Sequence, residues 1–488
     1  MTAGEIEKQP CPPPLTARLK AFYALGSTAE ALSITASSSF LLIFYNQVRG
    51  LPAGSVGVAL SVGLLVNAVF DPLVGSWSDR TRSRLGRRHP FMFASVLPAG
   101  LCFFALFNPP HVGATWQLVW LGLCNTLLLQ ATTLYHTPHL ALGGEMTDDY
   151  LERTSIMAYN TFCLWIGDTM AWLLSYRLFF RAAPGQPNGA LIASRYPLFA
   201  TAVAVTIAGL LLVSSWATVG RIPYLKKVAA AEQRFDARRF GRDILRTLTN
   251  RNYVVLLLGL AFTTLMQGVR IGLSIYVNSY YWRLTNDQIA MFAIASFVGY
   301  AFAGLVVRRL HARLDKRWTG ALSLLVYTVG PVLPLLLGYL GILSAQTPGL
   351  LWILLAFALL QHVPFSLMTT TIYSALADIA DELELRHGMR QEGILFSTRT
   401  FFARVDQALG TALAGWVLSL VAFPAKAMPG RVAAPVLDHL IVALLLTTLP
   451  GLVAACFYAM LRVTRDTHDA TRAALDARAS SAVPNDQP

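Results

Sequence analysis

The sequence predicts an all-α membrane protein of twelve transmembrane helices, arranged as two six-helix repeats. Three observations carry that prediction: apolar runs of membrane-spanning length, loop charge concentrated on one side, and an internal repeat of loop motifs. Of the 488 residues, 55% are hydrophobic and only 13% charged, where a soluble domain carries roughly 25% charged residues. Apolar segments fall near 20–45, 55–77, 89–107, 117–143, 154–180, 196–218, 252–281, 288–307, 319–344, 350–375, 393–423 and 436–462. A span needs about 20 such residues. Lipid leaves only helices or closed barrels, and these runs lack the two-residue alternation of barrel strands.

Orientation follows from the loops. Those at 78–90, 144–153, 219–251, 308–317 and 376–392 hold 22 Lys and Arg, and the opposite set holds 6. The asymmetry predicts a multi-pass protein of the cytoplasmic (inner) membrane with both termini inside. The same distribution explains the net charge of +13. Basic residues sit between apolar segments and not on one folded polar face, so nucleic acid is not an expected partner. No cleavable signal peptide is expected in the polar, Pro-rich opening Met1–Leu19. Five dispersed cysteines, Cys11, Cys102, Cys124, Cys163 and Cys456, give neither a disulfide framework nor a zinc spacing.

These features divide the chain into a cytoplasmic N-terminal segment (1–19), a six-helix bundle (20–218), a central cytoplasmic loop (219–251), a second bundle (252–463) and a disordered cytoplasmic tail (464–488). Within the central loop, Glu232–Leu248 has the pattern of an amphipathic helix, with Phe235, Phe240, Ile244 and Leu248 towards lipid and Arg238, Arg239 and Arg242 towards water.

The repeat is visible in the loops. A shift of 229 residues brings Gly304 under Gly75, Arg309 under Arg80, Arg313 under Arg84 and Lys316-Arg317 under Arg87-Arg88. At a shift of 233, Asp378, Asp381-Glu382 and Arg386 fall under Glu145, Asp148-Asp149 and Arg153. Two halves with matching loop chemistry are the pattern of a parallel-repeat transporter, whose site lies between the halves near the midplane.

The stretch Gly75-xxx-Asp79-Arg80 through Gly86-Arg87-Arg88 resembles the loop signature of the major facilitator superfamily. Around it, Asn67-Ala-Val-Phe-Asp71-Pro72 with Thr81–Gly86, and the segment Leu140–Thr154, are similar to the glycoside–pentoside–hexuronide:cation symporters, the melibiose permease family. The resemblance covers the first half well and Glu392–Leu413 more loosely. It implies the major facilitator fold and symport of a sugar-like solute with a cation, through carboxylates on helices one, two and four. Asp71 matches the helix-two carboxylate before proline. Asn67 stands where the sodium-using members carry a second carboxylate, and His136 where they carry one on helix four. Glu30 is the nearest acid on helix one, and Arg404 takes the place of the family's buried lysine on helix eleven. Sodium favours several oxygen ligands, so the two replacements point to H⁺ over Na⁺ as coupling ion, with no cofactor and no bound metal.

Ionisable groups in mid-membrane cost several kcal/mol unless paired, and default to functional candidates. Asp71, Glu30 and His136 are read as coupling residues. Substrate binding is assigned to Glu30, His136, Arg404, Asn67, Tyr135, Arg270 and Asp168. The competing reading for each is a structural pair between helices or a group snorkelling from a helix end, and for Arg270 a buried pair with Asp406 or Asp168. The cytoplasmic set Asp79, Arg80, Arg84, Arg87, Arg88, Glu145, Asp148, Asp149, Arg153, Arg309, Arg313, Asp378, Asp381, Glu382 and Arg386 is read as a salt-bridged gate that closes the inner face. Each bridge at a wet surface is worth under about 1 kcal/mol, but a network can set a balance of states.

The sequence thus reads as a secondary transporter working by alternating access, a cation-coupled symporter of a glycoside or related small polar solute. It is expected to be a monomer in contact with membrane lipids. A carrier of amphiphilic, lysolipid-type solutes is the alternative, and a non-transporting receptor is a weaker one. An enzyme is not expected: no HExxH, GxSxG or P-loop pattern occurs.

Overall fold

The computed structural model describes residues 13–147, 149–183, 188–225, 242, 245, 247–387, 392–462, 467, 470, 471, 473 and 474. The proposed amphipathic helix Glu232–Leu248, most of the expected tail and Asp148 lie outside the described residues, apart from a few isolated positions. The described chain is built from helices. We number the long ones α1 (Ala17–Ile43), α2 (Ala53–Arg80), α3 (His89–Phe107), α4 (Ala114–Glu145), α5 (Tyr150–Leu174), α6 (Tyr196–Ala217), α7 (Arg251–Tyr276) and α8 (Asn286–Arg313). Next comes α9, Lys316–Val329 continued as Leu333–Tyr339, then α10 (Leu350–His387) and α11 (Glu392–Leu420). The last, α12, is Ala434–Leu446 continued as Thr448–Ala459. Among the described residues nine helices are long and apolar enough to cross a membrane. Charged α5, α8 and α11 are of spanning length but fall outside that set.

The expected ninth and twelfth segments are each interrupted. Pro331 has no N–H to continue the ladder, and the chain takes one 3₁₀ turn at Gly330–Val332. The α12 break falls at Thr447, three residues before Pro450, which cannot donate to the carbonyl of Leu446.

The repeat is written into backbone geometry. Both α1 and α7 end in a π turn, Phe44–Val48 and Val277–Tyr281. The closing bonds correspond: Arg49 N–H to Phe44 O and Leu51 N–H to Tyr45 O, then Trp282 N–H to Val277 O and Leu284 N–H to Asn278 O. Each turn is followed by a left-handed residue, Gly50 at φ +84° and Arg283 at φ +53°, and then by a helix of 28 residues, α2 or α8. This register is the 233-residue shift, so in helix position Gly304 lies one turn from Gly75. The link after the helix is shorter in the second half (314–315) than in the first (81–88), so the helix starts that follow, His89 and Lys316, correspond at a shift of 227, and the 229-residue shift of the loop motifs lies between the two registers.

Packing divides the chain into two units. The first holds Met1–Leu41, Val69–Phe179 and Ala193–Phe235. There α3 packs on α4 and α6, and an aromatic core joins Phe40, Phe103, Phe107, Tyr196 and Phe199, with Phe40 on Tyr176 at 5.5 Å between centroids. The second unit holds Leu42–Ala68, Phe180–Ile192 and Asp236–Pro488. Its α7 packs on α11 and α12, and α10 on α8 and α9, around Tyr253, Leu256, Leu324, Leu376, Ile379, Leu395 and Tyr458.

The N-terminal part of α2 belongs to this second unit and lies against α11 there. Gly57 lets the backbones meet: a Cβ would come within 3.2 Å of the Thr411 and Ala412 carbonyl oxygens. Ser61 donates to Ala408 O at 2.7 Å. The residues closing α1 complete the contact, as Gln47 donates to Pro424 O at 3.1 Å and accepts from Ala427 N–H at 2.9 Å and Tyr280 Oη at 3.1 Å.

Candidate functional site

Within the first unit, α1, α2 and α4 bring three of the expected residues into pairs. Glu30 of α1 is 5% exposed. Its Oε2 lies 2.7 Å from Nδ1 of His136 on α4, a ring that stands half exposed. Asp71 of α2 accepts a hydrogen bond from Thr133 at 2.5 Å. Thr133 and His136 are three apart and share one face of α4, so a single helix face holds both acids. Pro138 within α4 and Pro72 within α2 each remove a ladder N–H close to these groups.

Beneath His136 lies a residue that sequence reasoning missed. His139 is 1% exposed, and its Nδ1 is 4.0 Å from Glu30 Oε1. Its ring is stacked between Tyr23, 4.1 Å away, and Tyr135, 4.9 Å away. The signal was present in Tyr135-His136-Thr137-Pro138-His139, where two histidines at i, i+3 face one way. Tyr135 itself, expected at substrate, is fully buried and donates to Ser214 Oγ at 2.7 Å. Gly26 makes that seat possible: a Cβ there would overlap the Tyr135 hydroxyl.

Asp168 on α5 accepts from Thr35 of α1 at 2.6 Å. Two further bonds fasten the same helices, Ser27 to Asn160 at 2.6 Å and Thr28 to Cys163 O at 2.9 Å. Its place is one of a row of α1–α5 ties.

Asn67, one turn before Asp71 on α2, is buried and belongs to the second unit. Arg270 is there too, and carbonyls and a hydroxyl hold it: Nη2 donates to Thr328 O at 2.9 Å, Nη1 to Tyr327 O at 3.4 Å and Nε to Thr447 Oγ1 at 2.9 Å. The two carbonyls lie at the break of α9, and the hydroxyl belongs to the residue at which α12 is interrupted. Neither Asp406 nor Asp168 is among these partners. Arg404 and Asp406 of α11 are half-buried in this unit.

The loop charges pair inside each unit. In the first, Arg88 Nη2 meets Asp79 at 2.6 Å and Glu145 at 2.7 Å, Arg88 Nη1 donates to Ser78 at 2.8 Å, and Arg87 meets Glu145 at 2.9 Å. Asp149 caps α5 by accepting from Leu151 N–H at 2.7 Å and Glu152 N–H at 3.0 Å. Arg153 donates to Gly144 O at 3.0 Å. Arg80 is half-buried and Arg84 exposed. In the second unit Lys316 meets Asp378 at 2.6 Å, Asn252 donates to Glu382 at 3.0 Å, Asp381 is buried and Arg313 exposed. The side chains of Arg309 and Arg386 lie outside the described set. A pair missed in sequence joins Lys20 to Glu152 at 2.7 Å.

Comparison with known proteins agrees with this architecture. The family model described as MFS/sugar transport protein matches residues 22–465. The inner membrane symporter YicJ of Escherichia coli (strain K12) is 24% identical, over 83% of this chain and 83% of its own. The isoprimeverose transporter of Lactiplantibacillus pentosus is 22% identical, over 81% and 79%. The sodium-dependent lysophosphatidylcholine symporter 1-A of Danio rerio is 34% identical, but over only 30% of this chain and 27% of its own. Among solved structures, a bacterial homologue of the human lysosomal transporter Spinster, in an inward-facing and unoccupied conformation, superposes with a TM-score of 0.65 at 14% identity, over 94% and 98% of the two chains. That likeness shows the fold.

Proposed function

The chain belongs to the MFS/sugar transport protein family of multi-pass membrane transporters, and from that premise we propose that it is a proton-coupled symporter of a glycoside or related small polar solute in the cytoplasmic membrane. The observation that carries the ion is the 2.7 Å contact between His136 Nδ1 and Glu30 Oε2. An imidazole on a carboxylate is a pair built to exchange a proton, and His is the side chain that titrates nearest neutral pH. A sodium site needs several oxygen ligands, and here a ring nitrogen occupies one side of the acid. Asp71, held by Thr133, is the second proton carrier of this reading.

The observation that favours a sugar-like solute is the relationship to the isoprimeverose transporter across four fifths of both chains. A second reading, an amphiphilic solute, draws on the lysophosphatidylcholine symporter segment. Transport alternates access to the two membrane faces, with termini inside and the chain acting as a monomer.

The test uses purified protein in proteoliposomes, with radiolabelled isoprimeverose, methyl β-xyloside and lysophosphatidylcholine as probes. Uptake of a glycoside driven by an imposed inward pH gradient, and indifferent to external sodium, is the expected result. Strong sodium stimulation with no response to the pH gradient would overturn the proton assignment. Uptake of the lysolipid alone would replace the sugar.

A further inference from the structure

His139 is held in a way that fixes which of its nitrogens carries hydrogen. Its Nε2 lies 3.0 Å from the backbone carbonyl of Tyr23. A carbonyl oxygen only accepts, so Nε2 must bear the proton and donate. In the neutral ring Nδ1 is then a bare acceptor. It faces Oε1 of Glu30 at 4.0 Å, and that oxygen is buried with no hydrogen-bond partner among the described residues.

Two lone pairs therefore confront each other inside the protein. A buried, unpaired carboxylate oxygen is costly. The flipped tautomer gives no relief, because a bare Nε2 would then set its lone pair against the Tyr23 carbonyl oxygen at 3.0 Å. The ring cannot swing away either, being stacked between Tyr23 and Tyr135. Tyr23 Oη returns a bond to His139 O at 2.8 Å, and Ser214, which receives the Tyr135 hydroxyl, donates to Tyr23 O at 2.6 Å. The one species that resolves the arrangement is a proton between Oε1 and Nδ1.

We infer that Glu30 and His139 share a dissociable proton, which makes His139 a second proton-holding residue buried behind His136. The inference deepens the proton-coupled reading above and rests on it for its physiological meaning. The step is a single transfer. The proton leaves Oε1 of the carboxylic acid and bonds to Nδ1, giving a carboxylate that accepts from His136 and an imidazolium that still donates from Nε2 to Tyr23 O. A carboxyl movement of about 1.3 Å brings the pair from ion-pair to hydrogen-bond distance. The titratable groups around it are His136 and His139 on α4, Tyr23 on α1 and Tyr135 on α4, and the α6 contribution is the uncharged hydroxyl of Ser214. Half-exposed His136 is the exchange point with the outside, and His139 is the interior store.

The experiment is nitrogen-15 NMR of the purified full-length protein, labelled at histidine and titrated with acid. The His139 resonances are assigned by their loss in His139→Asn or, should that variant not fold, by magnetisation transfer from the Tyr23 and Tyr135 rings in the wild type. The expected result is an Nε2–H ring that gains a proton on Nδ1, with the midpoint displaced by at least about one pH unit, a tenfold change in proton affinity, in Glu30→Gln. A wild-type ring protonated at Nδ1 and bare at Nε2 would overturn the proposal. So would a midpoint unmoved by Glu30→Gln. The measurement needs no transport: a proton shared here in a protein that responds only to sodium gradients would defeat the proposed function and leave this site standing.

Discussion

Lys316 and Asp378 form an ion pair at 2.6 Å that repeats, half a chain later, the 2.9 Å pair between Arg87 and Glu145. Each pair ties the start of an odd-numbered helix to the C-terminal part of the fourth helix in its half. The partners are repeat mates read from the sequence, at shifts of 229 and 233. The loop charges thus satisfy one another within each unit, in a network centred on Arg88 in the first. Released or exchanged partners would be needed for the same charges to act as a gate, and that can be measured.

Arg88 is the residue on which the first network turns. It is 6% exposed and contacts Asp79, Glu145 and Ser78. Removing one partner of a buried pair costs about 3–5 kcal/mol, reduced here because Asp79 is half exposed. Arg88→Ala should lower the unfolding temperature of the detergent-purified protein by several degrees. Arg88→Lys should recover only part, because lysine cannot reproduce the forked contact to Glu145 through Nε and Nη2. Equal stability of all three proteins by thermal shift would remove Arg88 from this role.

Reversing Asp79 to Arg sets like charge against Arg88, 2.6 Å from its present carboxylate partner. If the network helps close the inner face, the variant populates inward-open states more. Maleimide labelling of a single cysteine placed near the Arg80 end of α2 should rise at least about threefold. Unchanged labelling would leave these charges as topology signals.

The contact of α2 with α11 gives a prediction at the other end. Gly57 has no room for a side chain against the Thr411 and Ala412 carbonyls. Gly57→Val should cost about 1–3 kcal/mol of that packing. Labelling of a cysteine at position 46 should rise, because Asn46 and Gln47 lie buried in the seam with Tyr276 and Tyr280. Gln47→Ala should act in the same direction and more weakly. Protection retained in both variants would show that the seam does not depend on this crossing.

The fold was legible because lipid enforces it. Apolar length, loop charge and repeated motifs are large signals, and the membrane permits few architectures that produce them. The breaks in α9 and α12 were less visible, since Pro331 and Pro450 interrupt hydrogen bonding without interrupting hydrophobicity. At the site, Glu30, Asp71 and His136 stood out because charge in an apolar run is conspicuous. Pairing was not legible: nothing local says that Glu30 meets His136 across two helices while Asp71 meets Thr133. His139 was overlooked for the same reason, and the burial of Tyr135 was not legible because the hole left by Gly26 exists only once α1 and α4 pack. Asp149 was singled out with the loop charges, and its helix cap required knowing where α5 begins.

The coupling residues can be separated from the structural ones by what survives their neutralisation. Asp71→Asn keeps a group that can still accept from Thr133, and Glu30→Gln keeps an oxygen for His136, so both should fold and bind. Binding and alternation require the shape of the site, whereas uphill transport requires a group that gains and loses charge. Downhill exchange of labelled solute should therefore persist, and accumulation against a gradient should vanish. One charge moved through 100 mV contributes about 2.3 kcal/mol, so losing one coupled proton should reduce the accumulation ratio by well over tenfold. Thr133→Val is the control. It deletes the 2.5 Å bond to Asp71 but no titrating group, and should shift the pH profile of uptake while leaving accumulation in place. If Asp71→Asn and Glu30→Gln both accumulate solute as the wild type does, neither acid carries the coupling proton. Loss of downhill exchange along with accumulation would instead assign these acids to the solute.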